Sequence, residues 1–190
     1  MAFISSKKTT TGVTLTETLI TIGILAILST ATYAIIITAY NVVGEQQVYL
    51  DLQQEGATAM REITKQTNLA LNVTNYPEVT PTQSSGPSKL VLKVNSVDVN
   101  NNTVADKYDY FIFYLDGTTL KLLIDADPAS TGRADGTRVV ANFVKKIIFR
   151  YNKVNPTQAS VVYVTEIMTK KYKGLEKEII SQSSAYLRNK

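Results

Sequence analysis

The densest group of side chains that could do chemistry lies between residues 98 and 109. Its members are carboxylates and amides, which are the oxygen ligands that calcium prefers. They fall at the ligand positions of a calcium-binding loop, namely Asp98, Asn100, Asn102, Asp106 and Asp109. Thr103 stands where such a loop needs its turn glycine, and the last ligand is aspartate rather than glutamate. Turn formation by Asn and Asp explains the same residues, so a calcium site and a plain hairpin loop both remain open.

A second acidic group follows, with spacing that fits a metal site less well. It consists of Asp125, Asp127 and Asp135, around Pro128 and Gly132. Calcium at either group is the only cofactor that the residues suggest.

Enzymatic chemistry has little to build on in this chain. The sequence contains no histidine and no cysteine. This excludes a His-based triad, His-ligated metals and thiolate metal sites, as well as a disulfide framework. A nucleophile would need a Ser–Lys or carboxylate pair, and no spacing singles one out. We therefore expect no enzyme activity.

One further acid stands out because of the residues around it. Glu17 lies at the start of an apolar run, and no charged residue occurs between Thr18 and Gly44. Such a run can cross the hydrocarbon core of a bilayer, which takes about 20 helical residues. We expect a transmembrane segment at about residues 18–40. An ionisable group at its edge is costly unless something pairs with it.

The residues around Glu17 resemble the processing site of the type IV pilin and type II secretion pseudopilin superfamily. A short leader with lysines is followed by Gly12, Val13, Thr14, Leu15, Thr16 and Glu17. The resemblance implies that prepilin peptidase cuts between Gly12 and Val13 and that Val13 is then methylated. It also implies that Glu17 pairs with the N-terminal ammonium of a neighbouring subunit. That pairing would set the axial register between subunits.

The resemblance continues more loosely along the chain. Segments 46–63 (QQVYLDLQQEGATAMREI) and 178–190 (EIISQSSAYLRNK) are similar to J-type minor pseudopilins and related minor pilins. Val13 stands where the family usually has phenylalanine, and the helix-bending proline of many members is missing. The resemblance implies a minor subunit of a type II secretion, type IV pilus or DNA-uptake filament. Its partners would be other subunits, an inner-membrane assembly platform and membrane lipid.

The domain organisation follows from the change in residue pattern. We expect a leader at 1–12, a long helix at 13–75, a Pro-rich linker at 76–88 and a β-rich domain at 89–190. The outer half of the helix is amphipathic, with a predicted apolar stripe at Val43, Leu50, Ala57, Met60, Ile63, Ala70 and Leu71. The predicted fold is therefore α+β, a long N-terminal helix packed on a mostly antiparallel, pilin-like sheet domain.

Alternating apolar residues predict the strands of the C-terminal half. The segments are 90–97, 108–115, 119–124, 139–150 (with a break in its middle), 159–169 and 176–187. Asp116-Gly117 and Lys173-Gly174 predict tight hairpins. No helical pattern separates the strands, so the sheet should be antiparallel.

The positions of the basic residues predict the orientation of the chain in the membrane and bear on its partners. Lys7 and Lys8 precede the apolar run, which places the leader in the cytoplasm and the β domain outside the inner membrane. Basic residues gather near the C-terminus without an aromatic platform, so nucleic acid is not an expected partner.

A helix broken near Gly44 is one alternative. A monomeric membrane-anchored β domain that binds an extracytoplasmic ligand is the alternative function.

Overall fold

The computed structural model describes residues 12–76 and 83–188. Within them the chain forms one long helix, one short 3-10 helix and a series of strands. These are α1 (Leu15–Leu69), β1 (Asn72–Val73), β2 (Asn75–Tyr76), β3 (Gln83–Ser84), β4 (Lys89–Val97), β5 (Thr103–Asp116), β6 (Thr119–Asp125), β7 (Gly136–Ala141), β8 (Val144–Tyr151), the 3-10 helix (Pro156–Gln158), β9 (Val161–Tyr172) and β10 (Leu175–Tyr186). Residues 1–11 of the predicted leader and 77–82 of the predicted linker lie outside the described residues.

The chain divides into two compact units after Glu45. The first unit contains the N-terminal part of α1. The second contains the rest of α1 and all the described strands. Gly44 lies within the helix, so the alternative of two helices with a break at that glycine is wrong.

Helix α1 ends at Leu69, six residues before the predicted end. The amide of Leu71 donates to the carbonyl of Lys93 at 2.8 Å, and β1 then pairs with β4 through Asn72–Lys93 and Val73–Leu92. These hydrogen bonds with a distant strand replace the next helical turn. The predicted extension of the helix to residue 75 is therefore wrong.

The larger sheet has five antiparallel strands in the order β1-β4-β5-β6-β7. Alternate residues of its central strands face the core. The buried apolar members on this face are Leu90, Leu92, Val94, Phe111, Phe113, Leu120 and Leu122. This alternation is the period-2 pattern of a half-buried strand, and the prediction of an antiparallel sheet is confirmed.

The smaller sheet has three antiparallel strands in the order β10-β9-β8. The segment predicted at 139–150 is divided by a bend at Asn142 and Phe143, where Phe143 has a φ of 63°. The bend puts β7 in the five-stranded sheet and β8 in the three-stranded sheet.

The two predicted tight hairpins are both present, and each has a two-residue loop. Asp116 pairs with Thr119, and Gly117 has a φ of 62°. Tyr172 pairs with Leu175 around Lys173 and Gly174, whose φ values are 49° and 81°. Positive φ at both loop residues, as at Lys173 and Gly174, is typical of a type I′ turn. Positive φ at the first loop residue alone, as at Gly117, is typical of a type II′ turn.

The outer half of α1 packs on these sheets and closes the main core of the second unit. Its buried apolar side chains belong to the same cluster as the inner faces of the strands. They are Val48, Leu52, Ala59, Met60 and Ile63. Burial of a Val, Leu, Ile or Met side chain stabilises the fold by about 1.5–3 kcal/mol, and burial of the smaller Ala59 side chain by less. The predicted class is confirmed: one long helix packed on antiparallel sheets, an α+β fold.

Candidate functional site

The start of α1 is fixed by a pair of residues three positions apart. The amide of Thr14 donates to Oε2 of Glu17 at 2.9 Å, and the amide of Glu17 donates to Oγ1 of Thr14 at 3.3 Å. The Thr14 hydroxyl also donates to Oε2 of Glu17 at 3.0 Å. This reciprocal arrangement is a capping box, which satisfies amide groups that a helix start leaves without partners.

The capping box gives Glu17 a local role that the sequence analysis missed. The signal was available, because Thr-x-x-Glu ahead of an apolar run is the sequence signature of such a start. The side chain of Glu17 is exposed in the single chain. A carboxylate can accept several hydrogen bonds, so capping leaves it able to accept a further donor.

The predicted processing residues lie immediately before the helix. Gly12 and Val13 are exposed and belong to no helix or strand. A Cβ at Gly12 would meet nothing within 4 Å. A peptidase that acts between them would therefore meet an open, non-helical backbone.

The apolar part of α1 is long and apolar enough to cross a membrane, judged by its length and composition. The most apolar stretch of the helix makes no burying contact within the described structure. Leu15 and Ile27, for example, are 79% and 71% exposed. A patch of this kind usually marks a surface that contacts lipid or another protein.

The threonines of this segment do not leave their hydroxyls without partners. Each of several hydroxyls donates to the carbonyl four residues earlier, at 2.8–3.2 Å; the donors are Thr18, Thr21, Thr30, Thr32 and Thr38. Such bonds satisfy the polar group inside the helix itself. The polar composition of the segment is therefore compatible with a medium that offers no hydrogen bonds.

The calcium candidates do not form one ligand set. Asp98 accepts hydrogen bonds from the amides of Asn100 and Asn102 and from the side chain of Asn102. These bonds form a turn between β4 and β5 and lower the pKa of Asp98. Asp106 and Asp109 lie beyond this turn, within β5. The described residues include no group of three or more acidic side chains that could hold a metal.

Asp109 is instead a buried structural acid. Its carboxylate is inaccessible to solvent and accepts from Ser96 Oγ at 2.6 Å, Ser130 Oγ at 2.8 Å and the Asp127 amide at 3.0 Å. Arg133 Nη1 donates to it at 2.6 Å. Burial by itself would raise the pKa of Asp109, but these donors together lower it below its usual value.

In the second acidic group, the carboxylates of Asp127 and Asp135 accept hydrogen bonds from backbone amides of the loop that contains them. Oδ1 of Asp135 accepts the amide of Ala126 at 2.6 Å, and Oδ1 of Asp127 accepts the amide of Ala129 at 2.9 Å. Lys107 lies 3.6 Å from the other oxygen of Asp127. Turn chemistry accounts for these carboxylates.

A buried acid that the sequence analysis did not single out lies on β9. Glu166 is inaccessible to solvent, and neither carboxyl oxygen has a hydrogen-bond partner. Burial raises the pKa of Glu166 to about 8, and the charge of nearby Glu55 adds to the shift. The signal was the alternation on this strand, which puts Glu166 on the same face as the buried Val164 and Met168.

Comparison with known proteins assigns no family to these features. No family model matches the chain, and no curated protein matches it. The features that bear on function are therefore the acid that caps the exposed apolar part of α1 and the glycine that precedes it.

Proposed function

We propose that this chain is a minor pilin or pseudopilin subunit of a type II secretion or type IV pilus filament. Prepilin peptidase would cut between Gly12 and Val13, and Val13 would be methylated. The subunit would wait in the inner membrane as a single-pass protein, with its N-terminus in the cytoplasm and its β domain outside. It would then join a filament through α1.

One observation carries this proposal: the N-terminal part of α1 is apolar and exposed, and its first turn contains an acid five residues after a glycine. In a helical bundle the exposed side chains would pack against one another, and because they would leave lipid rather than water, close packing and polar pairing would favour assembly. The carboxylate of Glu17 would lose its water in the same step. It would then need a cation, and the freed α-amino group of another subunit is a suitable one.

Processing is the first step to test. The chain is extracted from membranes of its native host, and its intact mass is measured. We expect the loss of residues 1–12 and the gain of one methyl group. Gly12→Glu should retain the leader, because the peptidase slot before the cut accepts a small residue. A wild-type chain that keeps its leader would contradict the proposal and favour the monomeric anchored domain.

The second test separates the two roles of Glu17. Glu17→Gln removes the charge and keeps the shape, whereas Thr14→Ala weakens the capping box and keeps the charge. Loss of the cap costs about 1 kcal/mol at the helix start. We expect Glu17→Gln to reduce the cleaved protein found in sheared filaments at least tenfold, and Thr14→Ala to reduce it much less.

Membrane insertion and cleavage serve as the control, since neither substitution touches Gly12 or the apolar segment. If cleaved Glu17→Gln protein enters filaments as well as wild type, the proposed pairing is wrong. Equal defects in both variants would mean that Glu17 acts through the helix cap alone.

A further inference from the structure

Glu166 lies where α1 packs tightly against the three-stranded sheet at Gly56. A Cβ built on Gly56 of the helix would lie 3.0 Å from Met168 Sδ, 3.1 Å from Ser181 Oγ and 3.6 Å from Glu166 Oε2. The glycine therefore lets the helix backbone lie directly over the carboxyl group. Glycine inside a helix costs about 1 kcal/mol relative to alanine, and this close approach accounts for it.

The surroundings of Glu166 offer no counter-charge. On α1, the charge of Glu55 acts on Glu166, and Glu55 itself accepts the Asn142 amide at 2.9 Å. Asp51 on the same helix accepts Lys170 Nζ at 2.7 Å. Lys170 lies four residues after Glu166 on β9, but its ammonium group forms an ion pair with Asp51 rather than with Glu166.

The other two strands of the sheet add little charge. On β10, Ser181 lies opposite Glu166, and Lys177 lies further along with its Nζ 5.8 Å from the ring of Tyr49. On β8, the residue opposite Glu166 is the buried Ile147. An ionised carboxylate in such a place carries a penalty of several kcal/mol.

We propose that Glu166 is a proton-controlled latch between α1 and the three-stranded sheet. With a proton on its carboxyl group, the Val48–Ile63 section of the helix packs closely on β8, β9 and β10. When the proton leaves, the carboxylate draws in water, and this section of the helix loosens. The latch concerns the second unit alone and does not depend on the proposed filament role.

The direction of the pH effect follows from proton binding. An unfolded glutamate titrates near 4.3, whereas burial raises the pKa of folded Glu166 to about 8. Between these values the folded state holds a proton that the unfolded state releases. The folded-to-unfolded ratio should therefore fall by up to about tenfold per pH unit as the pH rises through this window. The contribution is fully present below the unfolded pKa and levels off above pH 8.

Few other groups in this chain titrate in the pH range between these two pKa values. Without histidine or cysteine, the α-amino group is the other group expected to titrate there. The full chain in detergent micelles is unfolded thermally at pH 5, 6, 7, 8 and 9. We expect the stability of the wild type to decline up to pH 8 and that of Glu166→Gln to stay nearly level, with the variant the more stable above pH 7.

Two further variants keep the test decisive. Glu178→Gln makes the same change at an exposed site that contacts Lys145, and it should keep the wild-type slope. Glu166→Met replaces the acid with an apolar side chain of similar length and should also remove the slope. A slope that persists in both Glu166 variants would overturn the proposal.

Local opening provides a readout that global stability does not. Hydrogen exchange by mass spectrometry, corrected for the intrinsic pH dependence, should rise at residues 48–63 between pH 6 and pH 9, well before it rises in β4 and β5. Glu166→Gln should suppress this rise. Equal exchange of residues 48–63 at both pH values in the wild type would contradict the latch.

Discussion

Arg133 donates from Nη1 to Oδ2 of Asp109 across 2.6 Å, and this bond connects β5 to the loop between β6 and β7. The same arginine nitrogen donates to the carbonyl of Asn95 at 2.6 Å, and the guanidinium lies 5.4 Å from the ring of Phe111. The carboxylate of Asp109 therefore accepts hydrogen bonds from three residues of the ten-residue connection between β6 and β7, namely Asp127, Ser130 and Arg133. These hydrogen bonds link the loop to β5 through a single buried carboxylate.

Asp109→Asn should destabilise the second unit by about 1–3 kcal/mol, the cost of leaving a buried polar group unsatisfied. The new amide must point its NH2 group at either Arg133 or the Asp127 amide, and both of these are donors. Thermal unfolding of the detergent-solubilised chain measures the loss.

Asp116→Asn is the matched control, because its salt bridge with Lys121 lies at the surface, where such pairs contribute little to stability. The pKa of Asp109 is lowered in the folded state, so its contribution is present above the unfolded pKa of about 3.9. It is lost as the pH falls through the lower folded pKa. The wild type should therefore lose more stability below pH 4 than Asp109→Asn does; equal losses would contradict this assignment.

Gly56→Leu should destabilise the second unit by about 1–3 kcal/mol through overpacking. Its side chain would collide with Met168 and Ser181. Gly56→Ala should be nearly neutral, since a flexible methionine can move aside while alanine improves helix propensity.

Gly23→Leu provides the control in the same helix, because a Cβ at Gly23 meets nothing within 4 Å. The unfolding temperature of the three variants gives the comparison. If Gly23→Leu and Gly56→Leu lower it equally, the close approach at Gly56 is not what matters.

Lys173→Asn should stabilise the β9–β10 hairpin by a few tenths to about 1 kcal/mol. Lys173 has a φ of 49°, a region that costs most residues about 1–2 kcal/mol and that asparagine tolerates better. Asn-Gly is also the preferred pair for a type I′ loop. Gly174→Ala should act in the opposite direction, because the φ of Gly174 is 81°. Thermal unfolding measures both changes, and a lower unfolding temperature for Lys173→Asn would refute the argument.

Much of the fold follows from local pattern. Alternating apolar residues predicted every strand of five or more residues among those described, and turn residues predicted both tight hairpins. The division of segment 139–150 between two sheets was not predictable, because it depends on a bend at Phe143 that tertiary packing supports. The end of α1 at Leu69 was missed for a similar reason, since its cause is a hydrogen bond to the distant Lys93.

The buried face of the helix was predicted only in part. Met60 and Ile63 are buried as expected, but Leu50 is 57% exposed while Val48 and Leu52 are buried. Apolar residues occur on more than one face of this long helix, and the face that is buried is the one that packs against the sheets. Glu166 escaped notice for the same reason: α1 covers it near Gly56, a residue far away in sequence that the pattern of a single strand cannot reveal.

The five threonines whose hydroxyls bond to carbonyls of their own helix have one further effect. With its oxygen turned inward, each of these side chains offers its methyl group to the outside and imitates valine. Hydropathy scales that count these threonines as polar therefore underestimate the apolar character of this helix surface. Around these five threonines, an adjacent acyl chain or protein is therefore contacted through shape and dispersion rather than through the threonine hydroxyls.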